Sequence, residues 1–375
     1  MKALVIGGGI IGGSVAWRLA AEGVKVVVFE RGRLGNEASW AAAGMIAPQA
    51  EAEGPGPILD ISLRGREAFD RIADRLARES GIDPEYDQAG ILYCALDQDE
   101  QRELERRARW QREAGLGGEV EELDGPAARR IEPMLSPEIV YALHLPTNRR
   151  VENRKLTQAY IAAAARAGAE FREGARVAEI IPNKSQIAGV RLDDGSHYEA
   201  DFVINAAGAW ASEIRGLEAD GVRLRPVRGQ IVCFQARPGM LGPAIFSLRG
   251  YLVPRRDGRL LAGSTMEDAG FDRSVTMAGM GRILAGANAL IPNLSSTPFR
   301  EAWAGFRPAT DDKMPVLGPS PAYPNVLYAT AHFRSGILLS ALTGEVVAAL
   351  VKGRKPPLDL TPFLPDRFKQ EGVAR

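Results

Sequence analysis

The chain has 375 residues, 45% hydrophobic and 25% charged, an ordinary globular balance with length enough for two domains. Its 47 Lys and Arg cancel its 47 Asp and Glu, so net charge argues against a polyanion partner, and no nucleic acid is expected. Two cysteines, Cys94 and Cys233, without a C-x-x-C, and three scattered histidines exclude a disulfide framework and a recognisable metal site.

Met1 to Arg31 begins with an apolar run, Ala3 to Ile6, patterned as a buried parallel strand. Gly7, Gly9 and Gly12 then complete G-x-G-x-x-G, Ser14 to Ala21 has helical spacing, and Val24 to Phe29 is a second strand ending at Glu30. Gly7 permits a tight turn, Gly9 lets backbone approach a pyrophosphate, and Gly12 lets helix and strand pack closely. The helix N-terminus offers free N–H groups to phosphates. Glu30 follows Gly12 by 18 residues, near the spacing at which an acid bonds a ribose 2′-OH. An acid there disfavours a 2′-phosphate and leaves FAD or NAD(H). Lys2 before an apolar run resembles a secretory leader, but the glycines interrupt it, and none is expected.

Residues 35–50 are small and weakly polar, suited to lie against a flat ligand. A helix is expected over 58–79, a strand over 91–95, a highly charged and solvated helix over 97–113, and short helices over 123–131 and 152–167. Strands are expected over 170–172, 176–181 and 187–192, with a hairpin turn at Asp193-Asp194-Gly195 and a return strand to Ile204. Asn205 to Trp210 is rich in small residues, including Ala207 and Gly208, which lets a cofactor cross the strand end. Val222 to Phe306 reads as a mainly antiparallel sheet with one helix at 275–289. The α/β segments frame it, so the nucleotide domain is expected to be discontinuous: 1–85, 146–219 and 300–365, with 86–145 and 220–299 as the substrate domain and 366–375 as a surface tail. The longest apolar stretch, Ile337 to Val351, is too broken to span a membrane.

Two stretches near the end carry the remaining chemistry, Trp303 to Asp312 and Ala331 to Ser340. A helix starting near Ser335 and Gly336 can direct its positive end at a flavin. Arg307 and Arg334 offer planar forks for a carboxylate, and Tyr251 a hydroxyl donor. His332 reads as a packed histidine rather than a base. Met45 and Met266 are candidate pocket walls.

These motifs resemble the D-amino acid oxidase superfamily of FAD-dependent amine oxidases, in particular its glycine oxidase branch in the thiamine pathway. The likeness rests on Val5 to Gly12, Ala41 to Met45, Tyr251 to Arg255, Trp303 to Pro308 and His332 to Leu339. It implies an α/β fold, a Rossmann-type FAD domain plus an α+β substrate domain with a large antiparallel sheet. It implies flavin contacts at Ile10, Ile11, Glu30, Arg31, Ala38, Ser39, Ala43, Gly44, Met45 and Val177. Further flavin contacts follow at His332, Phe333, Arg334, Ser335, Gly336, Ile337 and Leu338. It places Arg307 as carboxylate anchor, Tyr251 as its partner, and Arg334 and Met266 beside them. No cysteine follows Cys233, so the FAD is expected to be non-covalent. The implied reaction is hydride transfer from a small amino acid to flavin N5 without a side-chain base, then reoxidation by molecular oxygen. A cytoplasmic homo-oligomer, a tetramer, is expected. A quinone-linked amino acid dehydrogenase, a non-catalytic flavoprotein and a tRNA-modifying enzyme are the alternatives. Arg249, just before Tyr251, adds a cation of unknown direction.

Overall fold

The computed structural model describes residues 1–183 and 186–372; the last three residues of the expected tail lie outside the described residues. The Val-rich runs become central strands because both of their faces are covered. Lys2–Ile6 sits in a six-stranded sheet, flanked by Lys25–Phe29 and Glu170–Arg172 on one side. On its other side lie Phe202–Asn205, Val326–Thr330 and Val316–Pro319, only the last antiparallel.

One face of this sheet packs on helices Ile10–Ala21, Pro57–Ser80, Asn153–Arg166 and Gly336–Val351. The last is apolar on nearly every side because it is buried on nearly every side. Small residues allow that burial: a Cβ on Gly344 would stand 2.6 Å from Ser14 Oγ. The other face packs on a three-stranded antiparallel sheet, Val177–Asn183, Gln186–Leu192 and His197–Glu199. The expected return strand to Ile204 is therefore two strands: His197–Glu199 closes the small sheet, and Phe202–Asn205 joins the large parallel one.

The second body is an eight-stranded sheet. Its order is Phe299–Ala309, Arg225–Gln235, Arg259–Gly263, Gly250–Pro254, Ala244–Ser247, Ile91–Ala95, Tyr141–Leu145, Glu121–Asp124. All pairings are antiparallel except that of Ala244–Ser247 with Ile91–Ala95. Phe299–Ala309, which the sequence groups with the nucleotide segments, forms the edge of this sheet and pairs along Arg225–Gln235. The expected helix over 123–131 begins only at Gly125, because Glu121–Asp124 pairs with the unforeseen strand Tyr141–Leu145 and Asp124 caps the helix by accepting from Ala127 N–H. No helix is long and apolar enough to cross a membrane among the described residues.

Candidate active site

The C-terminal ends of the parallel strands and one face of the eight-stranded sheet enclose a cavity of about 760 Å³. Of the residues expected at a site, all but Gly12 line it.

The nucleotide end is built from backbone. Gly7 has φ +103°, and a Cβ on it would lie 2.4 Å from Ala206 O, so only glycine fits the turn. Gly12 works from beneath: a Cβ there would stand 1.9 Å from Gly7 O, so it sets the approach of helix to strand and not the cavity wall. Helix Ile10–Ala21 begins at Gly9 without a cap from its own chain neighbours, and Ser39 Oγ accepts from Ile10 N–H at 2.9 Å. The other first-turn N–H groups have no intrahelical acceptor. Glu30 is buried and takes backbone N–H bonds from Gly8 and Gly32, each 2.8 Å. It thereby folds the turn as well as presenting a carboxylate to the cavity. Arg31 stacks on Trp210 at 3.6 Å and pairs with Glu37. Val177, Ala207 and Gly208 close this end.

The 35–50 segment folds as two short helices, Ala38–Ala41 and Pro48–Glu51, with strand Met45–Ile46 between them. It is pinned from three sides. Trp303 Nε1 donates to Ala41 O at 3.0 Å, Asn153 Nδ2 to Ser39 O at 2.8 Å, and Arg255 Nη2 to Ala43 O at 2.8 Å. Ala43, Gly44 and Met45 are thus held against the cavity.

A second helix N-terminus enters at the opposite side. Ser335 offers no side-chain cap to helix Gly336–Val351, and Gly336, Ile337 and Leu338 line the cavity. The turn before it is unusual: Ala331 and Phe333 have φ of 58° and 46°, left-handed values rare outside glycine. Phe333 N–H donates to Pro308 O at 3.0 Å, tying this turn to the strand that carries Arg307. His332 is buried and hydrogen-bonded to Thr343 Oγ1 at 2.9 Å; burial alone pulls its pKa down to about 3, so it is neutral.

The amine end is built from side chains. Register places Tyr251 opposite Gly263 and Arg307 diagonally across from Gly229. A Cβ on Gly263 would meet the Tyr251 hydroxyl at 2.6 Å, and one on Gly229 would meet Arg307 Nη1 at 2.1 Å. Two glycines therefore make room for the phenol and the guanidinium. Arg307 donates only to neutral acceptors, Thr265 O at 3.1 Å and Ser264 Oγ at 2.7 Å. Desolvation lowers its pKa, yet an arginine keeps its charge at neutral pH. Desolvation raises that of Tyr251, against the opposing pull of Arg307, and keeps the phenol protonated as a donor. Met45 is half-buried here, whereas Met266 reaches the cavity from a largely exposed position.

Three features escaped the sequence. Glu51 forms an ion pair with Arg334 inside the cavity. Tyr93 and Phe246 pack edge to face on the same wall. Phe271 covers Trp210 and Phe306 from a protruding segment. Arg249 turns to Asp97 (2.7 Å) and Glu100 (2.6 Å), which neutralise it.

Two helix N-termini, a glycine turn and a buried acid suit a bound dinucleotide, and the guanidinium bonded to neutral groups at the far end suits an acid substrate: this is the site of a nucleotide-dependent oxidoreductase. A family model described as DAO, FAD dependent oxidoreductase, matches residues 2–350, and the chain belongs to that family. It is 34% identical over 362 residues to a glycine oxidase of Geobacillus kaustophilus (strain HTA426), spanning 96% of this chain and 95% of that one. It is 33% identical to the bifunctional protein ThiO/ThiG of Synechocystis sp. (strain ATCC 27184 / PCC 6803 / Kazusa), over 97% of this chain and 54% of that protein. The crystal structure of glycine oxidase from Geobacillus kaustophilus superposes with a TM-score of 0.92 at 32% identity, covering 98% of this chain and 99% of that one. The expected fold class and FAD dependence are borne out. FAD fits the cradle described: the helix ends of Ile10 and Gly336 and the carboxylate of Glu30 would hold it.

Proposed function

We propose that this enzyme oxidises glycine and other small amines or D-amino acids, such as sarcosine, D-alanine and D-proline, to the imine, which water hydrolyses to the oxo acid, with release of ammonia from the primary amines and of methylamine from sarcosine. The observation that carries the reading is Arg307, a cavity guanidinium bonded only to neutral groups, with no carboxylate paired to it among the described residues. A charged donor held open in this way awaits an anion, and a substrate carboxylate fits its planar fork. The Tyr251 hydroxyl donates beside it. Gripping one end of a small amine fixes the position of its Cα, which is the main contribution these residues make. FAD, bound non-covalently, would supply the hydride acceptor for that carbon, with oxygen as the final acceptor and hydrogen peroxide as its product. Buried His332, its pKa lowered to about 3, is too weak a base to take up the amine's proton, and the amine reacts in its uncharged form. Likeness to glycine oxidases and to the ThiO/ThiG protein supports a place in thiamine biosynthesis. The same reading takes the enzyme to be a cytoplasmic homo-oligomer, a tetramer.

Anaerobic mixing of the flavoprotein with glycine, sarcosine, D-alanine and D-proline should bleach the flavin absorbance, and admitting air should restore it with peroxide formation. No bleaching by any amine overturns the reading. Bleaching that air leaves unreversed but a quinone reverses makes the enzyme an amino acid dehydrogenase.

A further inference from the structure

The amine end of the cavity, beside Tyr251, holds two guanidiniums in unlike states. Arg307 has neutral partners only, whereas Arg334 is paired with the carboxylate of Glu51. Glu51 ends the four-residue helix Pro48–Glu51 and lines the cavity with Tyr93, Tyr251 and both arginines. Its Oε2 is buried and accepts no well-angled hydrogen bond, so the contact with Arg334 is one of charge. The segment carrying Glu51 is fixed from outside: Arg107 Nη1 donates to Ala52 O at 3.1 Å, and Gln111 Nε2 to Gln49 O at 3.2 Å. The backbone on either side of Glu51 is thus held in place, and its carboxylate is set by the pairing with Arg334.

We propose that Glu51 is a specificity-determining residue: by neutralising Arg334 it leaves the site one net positive charge, enough for a single carboxylate, and rejects amines that carry a second anion. The inference rests on the amine-oxidising function proposed above. With Arg307 and Arg334 positive and Glu51 negative, one substrate carboxylate brings these three groups at the amine end to neutrality. A second would meet Glu51 as a like charge and would be buried without a free partner, a cost that serves as discrimination. The raised pKa of Arg334, due first to Glu51, agrees with this pairing. Replacing the acid by its amide would release Arg334 to grip the second anion.

Sarcosine and iminodiacetate provide the test, since both are N-substituted glycines and differ by one carboxylate. Glu51→Gln should raise kcat/KM for iminodiacetate relative to sarcosine by about tenfold or more, the equivalent of about 1.4 kcal/mol. Glu51→Asp, which keeps the charge, should leave the ratio near that of the parent. A readout without turnover runs in parallel: acetate and malonate titrated against the flavin spectrum. The parent should bind malonate no tighter than acetate despite its two arginines, and Glu51→Gln should favour malonate about tenfold. Ratios unchanged in Glu51→Gln, a Glu51→Asp variant that shifts as far as Gln, or a parent already favouring malonate more than tenfold would each overturn the proposal. Should no amine bleach the flavin of any variant, the oxidase reading fails, while the anion titration still decides the role of Glu51.

Discussion

The two ends of the cavity are made of different materials. At the nucleotide end, what faces the cavity is main-chain N–H groups and missing side chains: Gly7, Gly9 and the first turns of two helices. At the amine end, the cavity is lined by long side chains, Arg307, Arg334 and Tyr251, drawn from strands and turns far apart in sequence. A backbone cradle is set by local geometry and tolerates little variation in residue type. A side-chain cluster is set by sheet register, and exchanging one partner alters it. The contrast predicts that the two ends fail separately.

The sharpest separation should come from Arg307→Ala. Removing the guanidinium that, among the described residues, has no acid partner should lower kcat/KM for glycine by about 10³-fold, mainly through KM, with flavin content unchanged. Steady-state kinetics beside the flavin-to-protein absorbance ratio checks this; loss of flavin would erase the distinction between the ends. Gly229→Ala is subtler, because it touches no ligand. Its Cβ would need the space held by Arg307 Nη1, 2.1 Å away, so the fork must shift. A displacement of that size should cost about 10²-fold in kcat/KM with FAD retained. At the nucleotide end, Glu30→Ala removes a carboxylate bonded to two backbone N–H groups. FAD affinity should fall about 10- to 100-fold, as expected for a hydrogen bond to a charged group, while saturating flavin restores the KM for glycine. Flavin fluorescence on dilution measures it.

The same contrast explains what could be read in advance. The glycine turn, the first helix and Glu30 are consecutive in the chain and obey local stereochemistry, so their spacing carried the nucleotide site. Arg307 and Tyr251 were placed by family likeness, since nothing in a single strand shows that Gly229 and Gly263 stand across from them. Glu51 left no signal: an acid after Ala50 in a loop of small residues reads as solvent-facing. The helix Gln98–Gln111 was masked by its own charge. It was expected to be a solvated face, yet Leu104, Arg107, Trp110 and Gln111 are buried and brace the segment that carries Glu51. Charged residues satisfied by one another escape hydrophobic patterning. So does Arg249, whose acids, Asp97 and Glu100, lie about 150 residues earlier.

His332 sits where the ends meet, in the left-handed turn before helix Gly336–Val351, and yields the smallest expected effect. Burial holds its pKa near 3, below the unfolded value of 6.5. Between those values the unfolded chain binds a proton that the folded chain does not. Stability from this group is therefore fully present above pH 6.5 and declines as pH falls toward 3, by at most about 1.4 kcal/mol per unit. Melting temperature followed from pH 7 to pH 4 should fall more steeply in the parent than in His332→Gln, which has no such proton to take up. Over pH 6 to 9 neither kcat nor kcat/KM should show a step that this replacement removes. A step that vanishes with His332→Gln would make the residue a proton carrier and would move acid–base chemistry into a turn whose role here is to aim a helix end.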